Sequence, residues 1–253
     1  MELKPGFSLI ASINPPNYKL MLKIDKFFKG IGSIITDNKN KMYEYRIQGL
    51  KNCLLVKNHF LSYPLMTYRL VNFIMWCKML NLFESKIHLT KEGLFQLVNI
   101  KAAFPKGLTK TIKEAFPDAQ AITLPNYKPN FSNLNYYWLA GFINTDGSFF
   151  FYLTRDVIAI ISIGQHSKSL LLLQGIIKIL GFGSLSKSRN TVKEITIANF
   201  SYVCILIENL KKHRLYGAKY LDFLDFCKGI EIIKLKKHLT VKAKNKIKKK
   251  IFF

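Results

Sequence analysis

The chain has 253 residues and carries 39 Lys and Arg against 15 Asp and Glu, a formal net charge of +24 at pH 7. This length allows one large domain or two halves with a good core, and an apolar fraction of 49% argues against disorder. So large an excess of positive charge indicates a polyanionic partner, either nucleic acid or an acidic membrane surface.

Several classes of protein are disfavoured by what the sequence lacks. No uninterrupted apolar run reaches about 18 residues, which argues against a membrane span, and the opening MELKPGFSLI has no pattern of a secretory signal. No glycine-rich phosphate loop, zinc-protease helix or nucleophile-elbow serine occurs. The four cysteines are widely spaced and form no metal-ligand pair, so we expect buried, reduced thiols in an intracellular protein: Cys53, Cys77, Cys204 and Cys227.

The first half alternates between strand and helix patterns. Phe7, Leu9, Ala11 and Ile13 fall on alternate positions, as the apolar side of a half-buried strand does. Thr90 is predicted to cap a last helix that ends near residue 103. Between them, apolar spacing and turn residues predict a helix over 18–29, strands over 32–36 and 42–47, and helices over 50–61 and 67–83.

A linker is predicted to separate this half from a second one. Residues 105–135 are rich in Pro, Asn, Lys and Thr, apart from a short predicted helix near 111–116. The predicted domain division is therefore 1–104, a linker over 105–135, and 136–253. The second half is predicted to contain a helix from 136 to about 146, strands over 148–153 and 157–163, a helix over 169–180, strands over 183–186 and 194–198, and helices over 201–211 and 218–234.

The chain contains an internal repeat. Residues 63–90 align without gaps to residues 213–240, an offset of 150, and eight of the 28 positions are identical. Upstream, KGIGSI at 29–34 matches LGFGSL at 180–185 at an offset of 151. Chance is a poor explanation for two such matches, so the halves are expected to be a duplicated unit with one plan.

The stretch YYWLAGFINTDGSFFF, residues 136–151, reads as a helix that runs into a buried aromatic strand. Leu139, Phe142 and Ile143 form one apolar stripe at helical spacing. Asp146 falls in the last turn, where the helix dipole disfavours a carboxylate by ~0.3–1 kcal/mol unless a cation compensates. A divalent metal beside a phosphodiester would compensate, and an exposed helix-ending Asp-Gly turn is the alternative.

The nonapeptide LAGFINTDG at 139–147 resembles the signature of the LAGLIDADG homing endonucleases, and SFFF fits the strand that follows it. The resemblance implies an α+β fold of two pseudo-symmetric αββαββα halves, whose antiparallel sheets bind DNA, in the single-chain, two-repeat, intron-encoded type. It spans nearly the whole chain, because further family features recur as HFLSYPLMTYR at 59–69, IHLTKEGL at 87–94, NIKAAFPKGL at 99–108, ISIGQH at 161–166 and KYLDFLDFCK at 219–228.

The resemblance assigns roles to particular residues. Asp146 takes the position of the acid that binds a divalent metal, usually Mg²⁺, and Asn144 stands where the signature often has Asp, so we expect a role in helix packing or a hydrogen bond. Lys219 takes the place of a lysine near the scissile phosphates, and its repeat mate is Arg69. A surface cation is the alternative for Lys219. Gln165 either orients water near the metal or is an ordinary polar residue at a strand end.

The first half departs from the family pattern. Each half of the family carries its own signature helix, but the repeat offset puts the counterpart of Asp146 upstream of Met1. Between Met1 and Ser33 the acidic residues are Glu2 and Asp25, and neither follows a small-residue helix. The family mechanism takes one carboxylate from each half, so double-strand cleavage by this chain alone is doubtful. Two explanations stay open: the missing segment is encoded upstream in a continuous frame, or the gene is decaying.

DNA reading is expected from the strands. A curved antiparallel sheet can follow the major groove and present alternate side chains to base edges. The many lysines would contact phosphates, so affinity is expected to depend strongly on salt. Together with Arg69, the candidates on the predicted exposed faces are Arg46, Gln48, Tyr152, Thr154, Arg155, Lys187, Arg189 and Lys193.

The histidines and the basic tail have ordinary explanations as well. His88 and His238 repeat, but each opens a His-Leu-Thr helix start, so packing and capping explain them better than metal binding. His166 and His213 have no partner at ligand spacing. The tail at 241–253, VKAKNKIKKKIFF, is either a solvated basic tail or an arm that contacts phosphates.

The leading hypothesis is a monomeric, site-specific endonuclease that acts on double-stranded DNA with Mg²⁺. The usual setting of the family, fungal or organellar genomes, predicts a mitochondrial protein. The alternative is a nucleic-acid binder without activity, either an RNA maturase that assists splicing of its own intron or a cleavage-dead remnant. A basic structural protein without a site is a third hypothesis, and the signature, the duplication and the linker argue against it.

Overall fold

The computed structural model describes residues 8–13, 17–38, 42–154, 156–186 and 191–235. The chain separates into two compact units, unit 1 over residues 1–130 and unit 2 over residues 131–253. Within the described ranges, no helix combines the length and apolar character that crossing a bilayer requires.

Unit 1 is an antiparallel sheet with helices packed against it. The sheet has the strand order β1-β3-β2. A short 3₁₀ helix, Ile87–Leu89, precedes α4. The elements in chain order are β1 Ser8–Ile13, α1 Tyr18–Phe27, β2 Gly32–Asp37, β3 Met42–Gln48, α2 Leu50–Ser62, α3 Arg69–Glu84, α4 Lys91–Ala102 and α5 Lys110–Ala115.

The core of unit 1 lies between this sheet and its helices. On β3, Tyr45 and Ile47 are buried while Arg46 between them is half-buried, which is the alternation of a strand with one packed face. Residues from α1, α2 and α3 complete the cluster around these two side chains: Met21, Cys53, Val56 and Leu80.

The predicted cap of α4 is confirmed. The Thr90 hydroxyl accepts a hydrogen bond from the Gly93 backbone N–H at 3.0 Å. His88 lies in the preceding 3₁₀ helix, where its ring packs 4.1 Å from that of Phe83 and its Nδ1 lies 3.2 Å from the Leu82 carbonyl oxygen. Packing therefore explains His88, as the sequence predicted.

The segment after α5 is bound to unit 1. Asn99 of α4 accepts hydrogen bonds from the backbone N–H groups of Gln120 and Ile122, through its side chain and its carbonyl respectively. The Tyr127 hydroxyl donates to the Met66 carbonyl. The division into 1–104, a linker over 105–135, and 136–253 stays a prediction. These contacts join the middle of that segment to α4 and to the loop between α2 and α3.

Unit 2 has the same architecture with one more strand. Its antiparallel sheet has the order β4-β5-β7-β6. Short 3₁₀ turns at Phe131–Asn133 and Ser167–Ser169 precede two of its helices. The elements are α6 Tyr136–Asp146, β4 Gly147–Leu153, β5 Val157–His166, α7 Leu170–Leu180, β6 Ser184–Leu185, β7 Val192–Ile197, α8 Phe200–Lys212 and α9 Gly217–Lys234. β5 runs three residues beyond its predicted end, because its pairing with β7 continues to His166.

The sheet of unit 2 has an inner face against the helices and an outer face away from them. Alternate residues of β5 and β7 form the core, and the buried side chains on this inner face are Ala159, Ile161, Ile163, Ile195 and Ile197. The outer face consists of Ser148, Phe150 and Tyr152 of β4, Ile158, Ile160, Ser162, Gly164 and His166 of β5, Ser184 of β6, and Val192, Glu194 and Thr196 of β7.

Strand order and register relate the two units. β3 and α2 lie 150 residues before β7 and α8, and β1-β3-β2 pairs in the manner of β5-β7-β6. In the described part of unit 1 the elements begin with the counterpart of β5, and α6 and β4 have no counterpart there. The predicted fold is confirmed: two pseudo-symmetric halves with antiparallel sheets.

The half-buried repeat mates Cys77 and Cys227 make stability sensitive to alkaline pH. Burial raises the pKa of each thiol from 9.0 to about 11. Because the folded-state pKa is raised, the stabilisation is complete below about pH 9 and is lost as pH rises through 11. We expect the free energy of unfolding to fall over this range by on the order of 2 kcal/mol per thiol.

The measurement is urea unfolding under reducing conditions at several pH values between 9 and 11, for the wild type and for a Cys77→Ala/Cys227→Ala variant. The variant is less stable at pH 8 but should lose less further stability above pH 9. Parallel curves for the two proteins would show that these thiols do not cause the alkaline loss.

Candidate active site and nucleic-acid interface

α6 presents the signature sequence as a capped, buried helix. The Asn135 side chain accepts a hydrogen bond from the Trp138 backbone N–H at 3.0 Å and so caps its start. Leu139 and Ile143, one turn apart, are buried, and so are their neighbours Ala140 and Phe142. The apolar stripe predicted from the sequence is therefore present.

Gly147 lets β4 start directly at the end of α6. Its backbone is extended, with φ −84° and ψ 154°, so it is not the left-handed residue that often follows a helix. A Cβ added there would lie 2.6 Å from the Ile143 carbonyl oxygen. Glycine is required for this close approach, and Asp146 is held at the junction of helix and strand.

Asp146 is half-buried at this junction. Its Oδ2 lies 2.7 Å from the Thr145 hydroxyl, which is also 3.0 Å from the Phe142 carbonyl oxygen. The hydroxyl has one proton and can donate to one of these acceptors at a time. The carboxylate is thus oriented by its own helix and remains partly accessible to solvent.

The register of the sheet brings Gln165 and Lys193 to the same end. Gly147 pairs with Ile163 in the first rung between β4 and β5. The preceding residue, Asp146, is therefore level with Gly164, the residue before Gln165. Gln165 pairs in turn with Lys193 on β7. An acid, an amide and a cation therefore lie at the same end of the sheet.

α9 brings Lys219 to this end as well. The Phe223 ring packs 5.5 Å from that of Phe149, and the Phe226 ring packs 4.8 Å from that of Phe151. α9 and β4 therefore run side by side in the same direction, and the first turn of α9 is level with the start of β4. Lys219 precedes Phe223 by four residues, on the same face of the helix.

The Lys219 side chain is only 24% exposed, and its Nζ lies 3.8 Å from Asp222 Oδ2. A partly desolvated ammonium close to the end of α6 is suited to stabilising negative charge. Its repeat mate Arg69 is exposed as the first residue of α3. The two cations hold equivalent places in the two units.

Asn144 links α6 to the start of α9. Its Oδ1 accepts a hydrogen bond from the Tyr216 backbone N–H at 2.7 Å, one residue before α9 begins. At the other end of α6, the His213 ring packs 4.5 Å from the Tyr137 ring. Residues 213–216 therefore follow the length of α6, and the hydrogen bond predicted for Asn144 is confirmed.

Replacing Asn144 tests whether this bond holds the backbone at the start of α9, the helix that carries Lys219. An Asn144→Asp variant keeps an oxygen acceptor, whereas Asn144→Leu removes the acceptor and with it this hydrogen bond. We expect faster hydrogen exchange at the Tyr216 amide and a loss of about 1 kcal/mol in stability for Asn144→Leu, with Asn144→Asp close to wild type. Equal exchange in both variants would contradict the positioning role.

The outer faces carry several of the predicted DNA-binding residues. Tyr152 is 59% exposed on β4, and Thr154 is exposed in the turn that follows. In unit 1, Arg46 and Gln48 lie on the outer face of β3, and Arg46 Nη2 forms a 2.8 Å ion pair with Glu44 Oε2. Of the remaining candidates, three lie outside the described residues: Arg155, Lys187 and Arg189. His238, assigned above to packing, lies outside them too.

Lys193 departs from its predicted position on an exposed face. It alternates in phase with the buried residues Ile195 and Ile197, so it lies on the inner face at the end of the sheet and is half-buried. The sequence predicts this strand over 194–198, so Lys193 lies just before its predicted start. Strand register decides which face a residue occupies, and the sequence pattern does not give the register. The neighbour of Lys193, Glu194, which the sequence pattern does not single out, lies on the outer face.

The oxygen donors at this end of the sheet suit a hard divalent cation. Mg²⁺ is commonly bound through one or two carboxylates, several waters and substrate phosphates. Among the described residues, no group of three or more His, Cys, Asp and Glu is placed to hold a metal. Asp146, with Gln165 close by, therefore fits an ion whose coordination a phosphate completes, and does not fit a self-contained site such as structural zinc.

The apolar cavity of unit 2 is not this site. It has a volume of about 130 Å³ and lies at the opposite end of α6, where Asn135, Tyr136 and Leu139 face Ile176 and Leu180. Its lining supplies almost no polar groups. The open end of the sheet, where an acid, an amide and a cation lie together, is the better candidate.

The fold and this arrangement define a class of protein. The family model for the LAGLIDADG endonuclease matches residues 3–80 and 139–230, and its second match begins at the first residue of the signature. The chain therefore belongs to the LAGLIDADG endonuclease family.

The chain is similar to particular curated proteins and solved structures. The probable intron-encoded endonucleases 3 and 2 of Neurospora crassa are each 28% identical over 93% of this chain. The chain spans about half the length of these curated relatives, 46% and 55%. The crystal structure of the I-SmaMI LAGLIDADG homing endonuclease bound to cleaved DNA matches with a TM-score of 0.89 and 30% identity, over 96% of this chain and 84% of that chain. That of I-GzeII with its DNA target has a TM-score of 0.88 and 27% identity, over 96% and 86%.

Proposed function

We propose that this chain is a site-specific homing endonuclease that binds a long double-stranded DNA target and hydrolyses phosphodiesters with the help of Mg²⁺. The observation that carries the proposal is the convergence of Asp146, Gln165 and Lys219 at one end of the unit 2 sheet. The net charge of +24 supports a polyanionic substrate.

The residues at this end have distinct proposed roles. Asp146 would hold Mg²⁺, which when bound lowers the pKa of water and offsets charge on phosphate oxygens. Gln165 orients a water by hydrogen bonding. The Lys219 ammonium binds the scissile phosphate and stabilises the charge that develops on it. Asn144 acts at one remove, because it fixes the start of the helix that carries Lys219.

The outer faces are proposed to bind the DNA. Arg46, Gln48, Tyr152 and Thr154 would contact base edges, while Arg69 and the surface lysines would bind phosphates. Lys193 would act close to Gln165 at the end of the sheet. Arg155, Lys187 and Arg189 are retained as candidates from the sequence. The relatives encoded in Neurospora introns support a mitochondrial location, and we propose a monomer.

The proposal is tested with a supercoiled plasmid that contains the host sequence without the intron. Wild-type protein with Mg²⁺ is expected to convert it to nicked or linear product, and EDTA should stop the reaction. A plasmid in which the intron interrupts the site is the control. Binding without any product at either plasmid would contradict the endonuclease function.

A second candidate function is supported by the net charge of +24, which suits RNA as well as DNA. In this alternative the chain binds nucleic acid without cleaving it, as an intron RNA maturase or an inactive remnant. Tight binding to the intron RNA, together with faster splicing of that RNA and no DNA cleavage, would favour the maturase.

A further inference from the structure

We propose that the outer face of the unit 2 sheet reads thymine methyl groups, at base pairs distant from the scissile phosphate. This inference rests on the proposed function, because it takes DNA as the ligand of this face. It adds the base that the face prefers and the side chains that select it.

The outer face changes in character along the sheet. At the end near the β4–β5 turn, Tyr152 pairs across the strands with Ile158, and Phe150 pairs with Ile160. These two rungs form an apolar patch. Tyr152 is 59% exposed and Ile158 is 37% exposed, so the patch is open to a ligand.

The next rungs are polar. Ser148 pairs with Ser162, which pairs in turn with Thr196. Beyond them, nearest to Asp146, Glu194 pairs with Gly164. Apolar, hydroxyl and acidic groups therefore follow one another from the turn towards the candidate active site.

Thymine is the base that suits the apolar patch. In the major groove the four bases present hydrogen-bonding atoms, and of these bases thymine alone adds a C5 methyl group. Isoleucine and the ring of tyrosine or phenylalanine cannot satisfy a base donor or acceptor, but they bury a methyl group favourably. An acid such as Glu194 would instead accept from cytosine N4.

The position of the preferred thymines follows from strand geometry. Tyr152 lies five residues after Gly147 along β4, and a strand rises about 3.3 Å per residue. Base pairs are stacked about 3.4 Å apart. The apolar patch therefore reaches base pairs roughly five steps from those nearest to Asp146.

Among its described side chains, unit 1 has no such apolar patch. Its sheet therefore serves as the control for the patch of unit 2. On its outer face Ile35 is 37% exposed, the same as Ile158, but its cross-strand partner is the charged Glu44. The next rung on that face pairs Ser33 with Arg46. A preference for thymine methyls should therefore belong to the part of the target that unit 2 contacts.

The test uses duplexes of the uninterrupted host site in which deoxyuridine replaces thymidine in one half or the other. Deoxyuridine keeps every hydrogen-bonding atom of thymine and removes the methyl group. We expect one of the two substituted duplexes to bind more weakly, by about 4-fold for each contacted thymine. A Tyr152→Ser/Ile158→Ser variant should bind both substituted duplexes equally, whereas Ile35→Ser should keep the wild-type difference.

The outcomes separate the two proposals. If the wild-type protein binds none of the duplexes, the proposed function fails. If it binds thymidine and deoxyuridine duplexes with equal affinity, the proposal that unit 2 reads thymine methyl groups is overturned while DNA binding stands. The same holds if the half of the target that unit 2 contacts contains no thymine. If the difference persists in Tyr152→Ser/Ile158→Ser, the assignment to this patch is wrong.

Discussion

An Asp146→Asn variant is expected to lose Mg²⁺-dependent cleavage by at least about 100-fold, because a ligand of the metal contributes several kcal/mol and 1.36 kcal/mol corresponds to tenfold in rate. Asn keeps the shape of the side chain and an acceptor for the Thr145 hydroxyl. The helix end should therefore fold normally, and duplex affinity measured in EDTA should change by less than about threefold.

The matched control is Asp156→Asn. Asp156 is an exposed acid in the turn between β4 and β5, at the opposite end of the same two strands. This variant changes the net charge by the same amount as Asp146→Asn, so it separates a local effect on the site from a general change in DNA attraction. Equal cleavage rates for the two variants would contradict a special role for Asp146.

A Lys219→Met variant is expected to reduce the cleavage rate by about 100-fold or more, while the salt dependence of duplex binding changes by about one phosphate contact. Methionine preserves most of the apolar stem that packs one turn before Phe223. The lost charge is partly desolvated, and the proposed function places it at the scissile phosphate, so its removal should affect the rate more than the binding.

Lys228→Met on the same helix is the control for this prediction. Like Lys219, Lys228 pairs with an acid three residues away: its Nζ lies 2.7 Å from Asp225 Oδ1. The Lys228 side chain, however, is 59% exposed. It lies more than two turns further from the start of β4. We expect little change in its cleavage rate, and a comparable loss in both variants would show that Lys219 acts only as general surface charge.

Much of the fold was predictable from the sequence because its signals are local. The Thr90 cap and the apolar stripe of α6 each depend on residues within a few positions of one another. Because the halves are repeats, the elements predicted in one half also predict those of the other. Short-range patterns of this kind decide where helices and strands begin and end.

The sequence names candidates for the site but does not give their contacts. The family resemblance selected Asp146, Lys219 and Gln165, but the Asn144–Tyr216 hydrogen bond joins residues 72 positions apart, and no spacing rule reports it. Strand register likewise determines that Lys193 lies on the inner face. The role of Gly147 is also visible only in the structure. A glycine at a helix end suggests a left-handed backbone, but glycine is needed here because the backbone approaches Ile143 closely.

Paramagnetic Mn²⁺ in place of Mg²⁺ gives the most direct test that one cation is held where α6, β5 and α9 meet. In a complex with the uninterrupted target duplex, Mn²⁺ should broaden amide resonances most strongly at residues 144–147, 164–166 and 216–220. Asp146→Asn should abolish this broadening while the DNA remains bound. Strongest broadening at other residues, or broadening that survives Asp146→Asn, would contradict this account of the site.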